Sequence, residues 1–413
     1  MKDSIILYGV QITGYILPFV TQPYLSRTLG PENIGLIGLG TALALYFASL
    51  VEYGFGITGP RQIAVAQDQP AEVASIYGRI FGAKLSLLAL SALILLLVLS
   101  IVPQYRVHWI LYCVSFLQVV GWCLSPNWLL QGLQRMRYVA FADYGAKIVS
   151  VALIFVLVRH KSDYLYAAAL QSGGFLVAAC IGLAAVFRTL KVRITWPDWG
   201  GILTEMKLGW PVFLSMACVT VMTSSNTLIL GFLGGNAQVG YLSSAMRLII
   251  ALRALGNPIN TAIYPHMSKL AARSPRAGIE FLQKRVFWVI VPFLAISLGL
   301  LVFAPWIVRI IFGKQFGESG ILLRLMAFTP CLYITSMCFG NYMLAFGFQK
   351  EWARITIRVT VLNFLVLAGL LLVMTPARAV ALTTSVIDLA SLLWGVLLYR
   401  RTVGEVLARP VME

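Results

Sequence analysis

Ionisable side chains lie inside several long apolar runs of the sequence, and these side chains are the first candidates for chemistry. Lys84, Arg247, Arg253 and Asp388 lie among Leu, Ile, Val, Phe and Ala, and Arg324 lies near the start of another such run. A charged group in hydrocarbon costs about 3 kcal/mol or more unless it meets water or a partner. We therefore expect each of the five to face a cavity or a neighbouring helix.

Arg247 belongs to a stripe of small and polar residues with helical spacing, so that its members share one helix face. The stripe consists of Gly240, Ser243, Ser244, Arg247, Ala251 and Ala254. Arginine presents a planar fork of donors that fits phosphate oxygens and does not deprotonate. The stripe predicts a site for an anionic group, with a helix-to-helix hydrogen bond as the alternative role of Arg247. Arg253 points to another side of the helix and is a secondary candidate.

Asp388 lies at the centre of a similar stripe near the end of the chain. That stripe consists of Ala381, Thr384, Ser385, Asp388, Ser391 and Gly395. An acid within a spanning helix marks either an ion pair or a proton pathway. Both roles stay open for Asp388, which either pairs with a cation or takes up a coupling proton.

The first apolar run is interrupted by helix-breaking and polar residues: residues 16–35 read ILPFVTQPYLSRTLGPENIG. A proline inside a spanning helix leaves a carbonyl without its helical donor, which is tolerated where neighbours or water satisfy that carbonyl. We predict that this helix bends and faces a cavity, which makes Gln22 and Arg27 candidate binding residues. A statically kinked structural helix is the alternative. The candidate hinges are Pro18, Pro23, Gly30 and Gly35.

The apolar runs themselves predict an all-α polytopic membrane protein. Of 413 residues, 59% are hydrophobic and 11% charged, which is too apolar for a soluble domain. In lipid the backbone must satisfy its own hydrogen bonds, so such runs form helices. Twelve runs are long enough to span: Ile12–Leu29, Ile34–Leu50, Ile80–Val102, Trp109–Leu130, Phe141–Val158, Tyr164–Phe187, Lys207–Leu233, Val239–Leu255, Val286–Ile307, Ile321–Phe348, Arg354–Met374 and Ala379–Leu398.

An internal repeat is indicated by two segments. GPENIGLI, which starts at Gly30, aligns with GNAQVGYL, which starts at Gly235, and the same offset places Thr21 opposite Asn226. Asn226 is therefore a further candidate binding residue. We predict two bundles of six helices around a central cavity, residues 1–190 and 207–413, with a cytoplasmic linker at 191–206.

The distribution of charge predicts the topology. With the N-terminus placed inside, 21 of the 32 Lys and Arg fall on the inner side, seven on the outer side and four within spans. This positive-inside bias predicts that both termini are cytoplasmic. It also accounts for the net charge of +17 without a nucleic-acid partner. In this topology Arg324 is shallow on the outer side, and Lys84 lies near the inner boundary, where its ammonium can snorkel.

Catalytic and metal-binding motifs are missing from the sequence. The three histidines are scattered, the six cysteines lack metal-ligand spacing, and there is no phosphate-binding loop. The connections between runs are too short for a soluble catalytic domain. We therefore predict no catalytic residue, no metal and no cofactor, and we do not expect an enzyme.

Several motifs together resemble one family. They are PYLSRTLGPENIG (23–35), EYGFGITGPRQIA (52–64), SPNWLLQGLQRM (125–136), YP (264–265) and FGKQFGESG (312–320). In this order and spacing they resemble the bacterial O-antigen and oligosaccharide-unit flippases. These belong to the polysaccharide transport family of the multidrug/oligosaccharidyl-lipid/polysaccharide exporter superfamily. The resemblance spans nearly the whole chain.

The resemblance implies a protein of the bacterial inner membrane that moves undecaprenyl-pyrophosphate-linked oligosaccharide from the cytoplasmic to the periplasmic leaflet by alternating access. Together with the buried cations, it predicts a cationic cavity for the anionic head. The predicted binding residues are Arg247, Arg27, Gln22, Asn226, Lys84, Arg324 and Arg253. Expected partners are the lipid-linked oligosaccharide, membrane lipids, and polysaccharide polymerase and chain-length proteins. H⁺ or Na⁺ is the expected coupling ion.

Three alternatives stay open. A multidrug or other cation-coupled antiporter of the same superfamily would need acids in its cavity, whereas the candidates here are mostly Arg and Lys. A membrane-embedded polysaccharide polymerase or ligase would need a large outer loop with catalytic residues, and the outer loops here are short. A flippase of lipid-linked peptidoglycan precursors is expected to have two more helices than the twelve predicted here.

Overall fold

The structure, a computed structural model, describes residues 2–189, 195 and 197–407. Within these residues the fold is built from helices joined by short turns, and it contains no strand. The α-helices are α1 (Lys2–Glu52), α2 (Phe55–Ala66), α3 (Pro70–Ile101), α4 (Pro103–Arg106), α5 (Trp109–Leu124), α6 (Asn127–Gly132), α7 (Met136–Leu157), α8 (Tyr164–Ala184), α9 (Trp199–Ala254), α10 (Asn257–Arg273), α11 (Pro275–Phe312), α12 (Gly317–Leu325), α13 (Thr329–Ala345), α14 (Gln349–Leu371) and α15 (Pro376–Leu407). The all-α prediction is confirmed.

Ten segments of the described residues are long and apolar enough to cross a membrane. Two of them, Phe19–Ala66 and Trp199–Ile259, contain 48 and 61 residues, whereas one crossing needs only about 20. Each long segment contains a break in its helix, so each supplies two crossings. The structure therefore agrees with a multi-pass membrane protein of about twelve spans.

The two breaks occur at glycines that the repeat alignment places opposite each other. Gly30 has φ 79° and ψ 171° within α1, and Gly235 has φ 76° and ψ 174° within α9. Only glycine adopts this backbone region without large strain. Pro31 then occupies the first position of the next helical stretch, where its missing N–H costs nothing. The alignment of Gly30 with Gly235 is confirmed.

Two predicted spans overlap segments that are apolar and long enough to cross a membrane, but each contains a break in its helix. The span Trp109–Leu130 is broken after Leu124, where Ser125 is extended with ψ 121°, because the following Pro126 disfavours helical geometry at the residue before it. The span Ile321–Phe348 is likewise divided between Leu325 and Thr329, and Pro330 lies in the first turn of α13. Both breaks follow from prolines within apolar runs.

Packing divides the chain into two compact units, one up to Gly231 and one from Phe232 onward. The division lies inside α9 because the first part of that helix bonds to α2 and α3. Arg79 Nε donates to Glu205 Oε1 at 3.1 Å, and Gln62 Nε2 donates to Glu205 Oε2 at 2.9 Å. The predicted bundles, 1–190 and 207–413, stay a prediction. Of the predicted linker at 191–206, residues 191–194 and 196 lie outside the described residues.

Each unit has its own aromatic packing. In the first unit the Tyr53 ring stacks on Phe213 with centroids 4.5 Å apart. In the second unit Tyr342 is fully buried, and its ring contacts Phe346 and Tyr399 at 4.7 and 4.9 Å. Large apolar rings of this kind dominate the packing energy of a helical core.

Candidate functional site

Arg253 and Asp388 form an ion pair in the second unit. Nη2 of Arg253, near the end of α9, donates to Oδ2 of Asp388 on α15. The Arg253 guanidinium also lies 4.7 Å from the centre of the Tyr333 ring, within cation–π range. The two charged side chains are only 19% and 14% exposed. The pairing role expected for Asp388 is therefore present, with the secondary candidate Arg253 as its partner, and the proton role stays a prediction.

The serines of the Asp388 stripe tie α15 to its neighbours. Ser385 Oγ donates to the Leu325 carbonyl at 2.6 Å, at the end of α12. The hydroxyls of Ser391 and Ser336 lie 2.9 Å apart and join α15 to α13. Hydrogen bonds across helices are typical of packed membrane bundles. Around Asp388 the polar stripe therefore forms hydrogen bonds between α15 and its neighbouring helices.

Arg247 lies on the second part of α9 and is half-buried. Of its stripe, Gly240 and Ser244 are buried, whereas Ser243 and Ala251 are half-buried. The neighbouring Ala245 is fully buried on an adjacent side of the helix. The stripe is thus partly packed and partly accessible, and the role of Arg247 in binding an anion stays a prediction.

Three polar residues that precede the two helix breaks are buried in the first unit. Thr21 and Gln22 are 7% and 4% exposed, and Asn226 is 8% exposed. Thr21 Oγ1 donates to the Leu17 carbonyl at 2.7 Å, and Gln22 Nε2 donates to Ser26 Oγ at 3.3 Å. These bonds within α1 satisfy part of the polar groups locally, so binding by Gln22 and Asn226 stays a prediction.

The remaining predicted residues are two arginines and the candidate hinges. Arg27 and Arg324 are exposed, and Arg324 Nη2 reaches the Val302 carbonyl at 3.3 Å. Among the candidate hinges, Gly35 is buried and Pro23 is half-buried, whereas the side chain of Pro18 lies outside the described residues. Only Gly30 among them breaks the helix.

Lys84 is buried inside the first unit and does not snorkel, which corrects the expectation for this residue. Its side chain is 0% exposed. Nζ donates to the Trp122 carbonyl at 3.0 Å and to Glu52 Oε1 at 3.4 Å. The ammonium turns inward because a carboxylate and a carbonyl together compensate its lost hydration.

A cavity of about 290 Å³ adjoins this ion pair. It lies where the end of α1, the start of α2, α5 and the first part of α9 meet. Its lining residues are Leu45, Ser49, Glu52, Gly54, Gly56, Ile57, Trp122, Met216, Thr220, Thr223 and Ser224. All of them belong to the first unit.

The backbone at the end of α1 shapes one wall of the cavity. Gly54 has φ +84°, which lets the chain turn sharply after Glu52. A Cβ on Gly54 would lie 2.7 Å from Val212 Cβ. Glycine at this position therefore permits both the turn and the close approach of α9.

Glu52 and Trp122 were not singled out by the sequence as site residues. Glu52 appeared only as the first letter of the EYGFG motif, at the end of an apolar run. The signal that could have found the pair is charge complementarity, because an acid and a lysine in neighbouring spans stabilise each other.

Comparison with known proteins gives one family and one fold. A family model described as "Polysaccharide biosynthesis protein" matches residues 1–271. A relative from Escherichia coli (strain K12), named "Putative O-antigen transporter", is 31% identical over 367 residues, which cover 89% of this chain and 88% of the relative.

Solved structures of transporters share the fold. An inward-facing multidrug resistance MATE family transporter of the MOP superfamily matches with a TM-score of 0.75 at 17% identity, covering 95% of this chain and 94% of that chain. The lipid II flippase MurJ in an inward closed conformation matches with a TM-score of 0.71 at 15% identity, covering 98% and 89%. At such low identity the likeness establishes the architecture alone.

Proposed function

Because the chain belongs to the polysaccharide biosynthesis protein family, whose model covers residues 1–271, we propose that it moves undecaprenyl-pyrophosphate-linked oligosaccharide units from the cytoplasmic to the periplasmic leaflet of the bacterial inner membrane. The observation that carries the proposal is the 31% identity, over 89% of the chain, to a relative named as an O-antigen transporter. The multi-pass helical fold agrees with transport within the bilayer.

The chemistry of the cargo explains why a protein with buried cations suits it. A pyrophosphate with attached sugars cannot enter hydrocarbon without losing its hydration, which costs far more than thermal energy supplies. Guanidinium groups replace water at phosphate oxygens with charge-assisted hydrogen bonds. The polyprenyl tail can stay in lipid throughout, so the protein has only the head to shelter.

Arg247 is the residue that we assign to the pyrophosphate. It is half-buried on a membrane-spanning helix, where a guanidinium keeps its charge and presents two parallel donors. Gln22 and Asn226 supply uncharged polar groups, and the exposed Arg27 and Arg324 provide charge at the outer side. Lys84 is left out of this assignment because its ammonium is 0% exposed and is shared by Glu52 and Trp122.

The energy source in this proposal is an ion gradient. The sequence contains no nucleotide-binding loop, so ATP is not used by this chain. Asp388 pairs with Arg253 in the second unit, and protonation of Asp388 would release that pair. Coupling to H⁺ or Na⁺ would thereby bias the two states of alternating access.

A leaflet assay tests the proposal. Purified protein is reconstituted with undecaprenyl-pyrophosphate-linked oligosaccharide, and a membrane-impermeant oxidant of sugars is added outside. We expect the oxidant to reach nearly all of the sugar in proteoliposomes but only the outer-leaflet half in protein-free liposomes.

Two parallel measurements separate this function from its rivals. Ethidium efflux driven by a pH gradient would instead indicate a multidrug antiporter, and we expect none. Lengthened glycan chains would indicate a polymerase, and we expect their length to be unchanged. Cargo that stays in its original leaflet would contradict the proposal.

A further inference from the structure

The cavity in the first unit has the size and the wall composition of a small-molecule site. Its volume of about 290 Å³ is close to the lower end of the range for such sites, roughly 300–1,000 Å³. Leu45, Ile57 and Met216 supply apolar walls, and a few hydroxyls and one carboxylate are placed among them. Apolar walls with few polar groups are typical of sites that orient one ligand.

The polar groups of the wall are mainly acceptors. Thr220 Oγ1 donates its proton to the Met216 carbonyl at 3.1 Å, and Thr223 Oγ1 donates to the Val219 carbonyl at 2.9 Å. Their oxygen lone pairs remain available to a donor. A ligand that bonds here must therefore bring hydroxyl or amide protons.

Two further acceptors beside the cavity are unsatisfied. Ser49 Oγ and Glu52 Oε2 are shielded from solvent and have no hydrogen-bond partner in the part of the chain that the structure describes. Glu52 Oε1 is bonded to Lys84. The terminal torsion of a glutamate is broad, so a small rotation of the carboxylate presents Oε2 to a ligand.

The ion pair at the cavity disfavours phosphate and metal ions as ligands. Glu52 and Lys84 form a pair of zero net charge. A phosphate would meet the carboxylate while the ammonium is inaccessible, and a metal cation would meet too little negative charge. A phosphate or a metal ion would lose its hydration without adequate compensation, whereas a neutral ligand with several hydroxyls avoids the cost of desolvating a charge.

Trp122 adds a flat apolar surface. Its ring is held edge-to-face against Phe175, with centroids 5.9 Å apart, and its carbonyl accepts from Lys84. An aromatic ring fixed in this way suits a ligand with one apolar face and polar edges. A sugar ring has C–H groups on its faces and hydroxyls at its rim.

We propose that this cavity is a subsite for one monosaccharide ring, whose hydroxyls donate to Glu52 and Thr223 and whose apolar face packs on Trp122. The inference rests on the proposed function, since it assigns the sugar part of the cargo to the first unit. The pyrophosphate, with its different chemistry, is bound elsewhere.

The test is saturation-transfer NMR on the purified full chain with free glucose, galactose, rhamnose and N-acetylglucosamine as probes. We expect transfer to the ring protons of at least one sugar. Thr223→Val should weaken that binding about fivefold, because one hydrogen bond is lost. Ser49→Ala is a second variant. The Ser49 hydroxyl has no hydrogen-bond partner among the described residues, so its loss removes only an acceptor for the ligand and should weaken binding similarly.

Thr204→Val is the matched control. Thr204 lies on the same helix, is exposed, and donates to the carbonyl four residues earlier at the same 2.9 Å as Thr223. Its replacement should leave sugar binding unchanged. The inference is overturned if no sugar gives saturation transfer with the wild type, or if both cavity variants bind as the control does.

The leaflet assay separates this inference from the proposed function. Transport without monosaccharide binding would remove the subsite and leave the flippase proposal intact. Monosaccharide binding at this cavity without leaflet transfer would support the subsite and contradict the flippase. Undecaprenyl pyrophosphate without sugar should bind the wild type and Thr223→Val equally, which also shows that the variant is folded.

Discussion

Glu52 and Lys84 differ sharply in their surroundings although they form one ion pair. The Lys84 side chain is 0% exposed, whereas that of Glu52 is 35% exposed. Removing the acid therefore leaves a fully buried ammonium that keeps, among the described residues, the Trp122 carbonyl as its partner. Removing the lysine leaves an acid whose side chain is only partly buried. Because burial of an uncompensated charge is costly, the two single substitutions should not be equivalent.

We predict that Glu52→Gln lowers the free energy of unfolding by about 3 kcal/mol, near the lower value for breaking a buried pair. Lys84→Met should cost clearly less, and the double variant should recover most of the loss because no buried charge remains. Thermal unfolding in detergent measures all three. Equal losses in the two single variants, or additive losses in the double variant, would contradict this account.

The ion pair with Arg253 gives Asp388 a role that can be tested by substitution. Protonation would neutralise it and free Arg253, so an amide at position 388 should imitate the protonated state. In proteoliposomes with an imposed pH gradient, Asp388→Asn should transport cargo at a rate that no longer depends on the gradient. If the variant still responds to the gradient, another group takes up the coupling ion.

At the scale of the helices, the sequence predicts the apolar spans and the two breaks at glycines. It does not predict the breaks near prolines or the partners of the buried charges. The matched breaks at Gly30 and Gly235 could be predicted because two segments align and only glycine fits such a turn. The breaks after Leu124 and Leu325 were missed. The interrupting prolines, Pro126 and Pro330, lie inside runs that are apolar on average, so mean hydropathy alone does not locate the breaks.

The partners of buried charges were harder still to predict. Sequence spacing placed Asp388 and Arg253 on helix faces, but it does not fix how α9 and α15 are rotated and shifted against each other. That register decides which arginine meets the acid. For the same reason Lys84 was expected at the membrane boundary, whereas tertiary packing turned it toward Glu52.

We predict that Gly235→Ala lowers the melting temperature because it forces a strained backbone, at a cost of about 1–3 kcal/mol. The added Cβ would have no heavy atom within 4 Å. The change in melting temperature therefore measures backbone strain without a steric clash. Gly299→Ala, inside α11, is the matched control, since its Cβ would also meet nothing within 4 Å. The control should be neutral or slightly stabilising, and equal melting temperatures for both variants would refute the backbone argument.

At the scale of the whole molecule, the distribution of charge predicts the orientation of the chain in the membrane. Of the 32 Lys and Arg, the larger share falls on one side of the predicted topology, and cationic loops are retained in the cytoplasm. We therefore expect the net charge of +17 to serve membrane insertion and contact with anionic lipids rather than a nucleic-acid partner.

We expect both termini to be cytoplasmic. A green fluorescent protein fused at the C-terminus should be bright in bacterial cells, and alkaline phosphatase fused at the same point should be inactive. Active phosphatase with a dark fluorescent fusion would place the C-terminus outside and reverse the assignment of every loop.

The most direct test of the account is the charge at position 247. In the leaflet assay, Arg247→Ala should reduce transport of pyrophosphate-linked oligosaccharide by at least tenfold, which corresponds to about 1.4 kcal/mol. Arg247→Lys should retain part of the activity, because it keeps the charge without the bidentate fork. Arg401→Ala, at an exposed position near the end of α15, should behave like the wild type. Full transport by a well-folded Arg247→Ala protein would contradict the claim that the half-buried guanidinium of Arg247 holds the anionic head of the cargo.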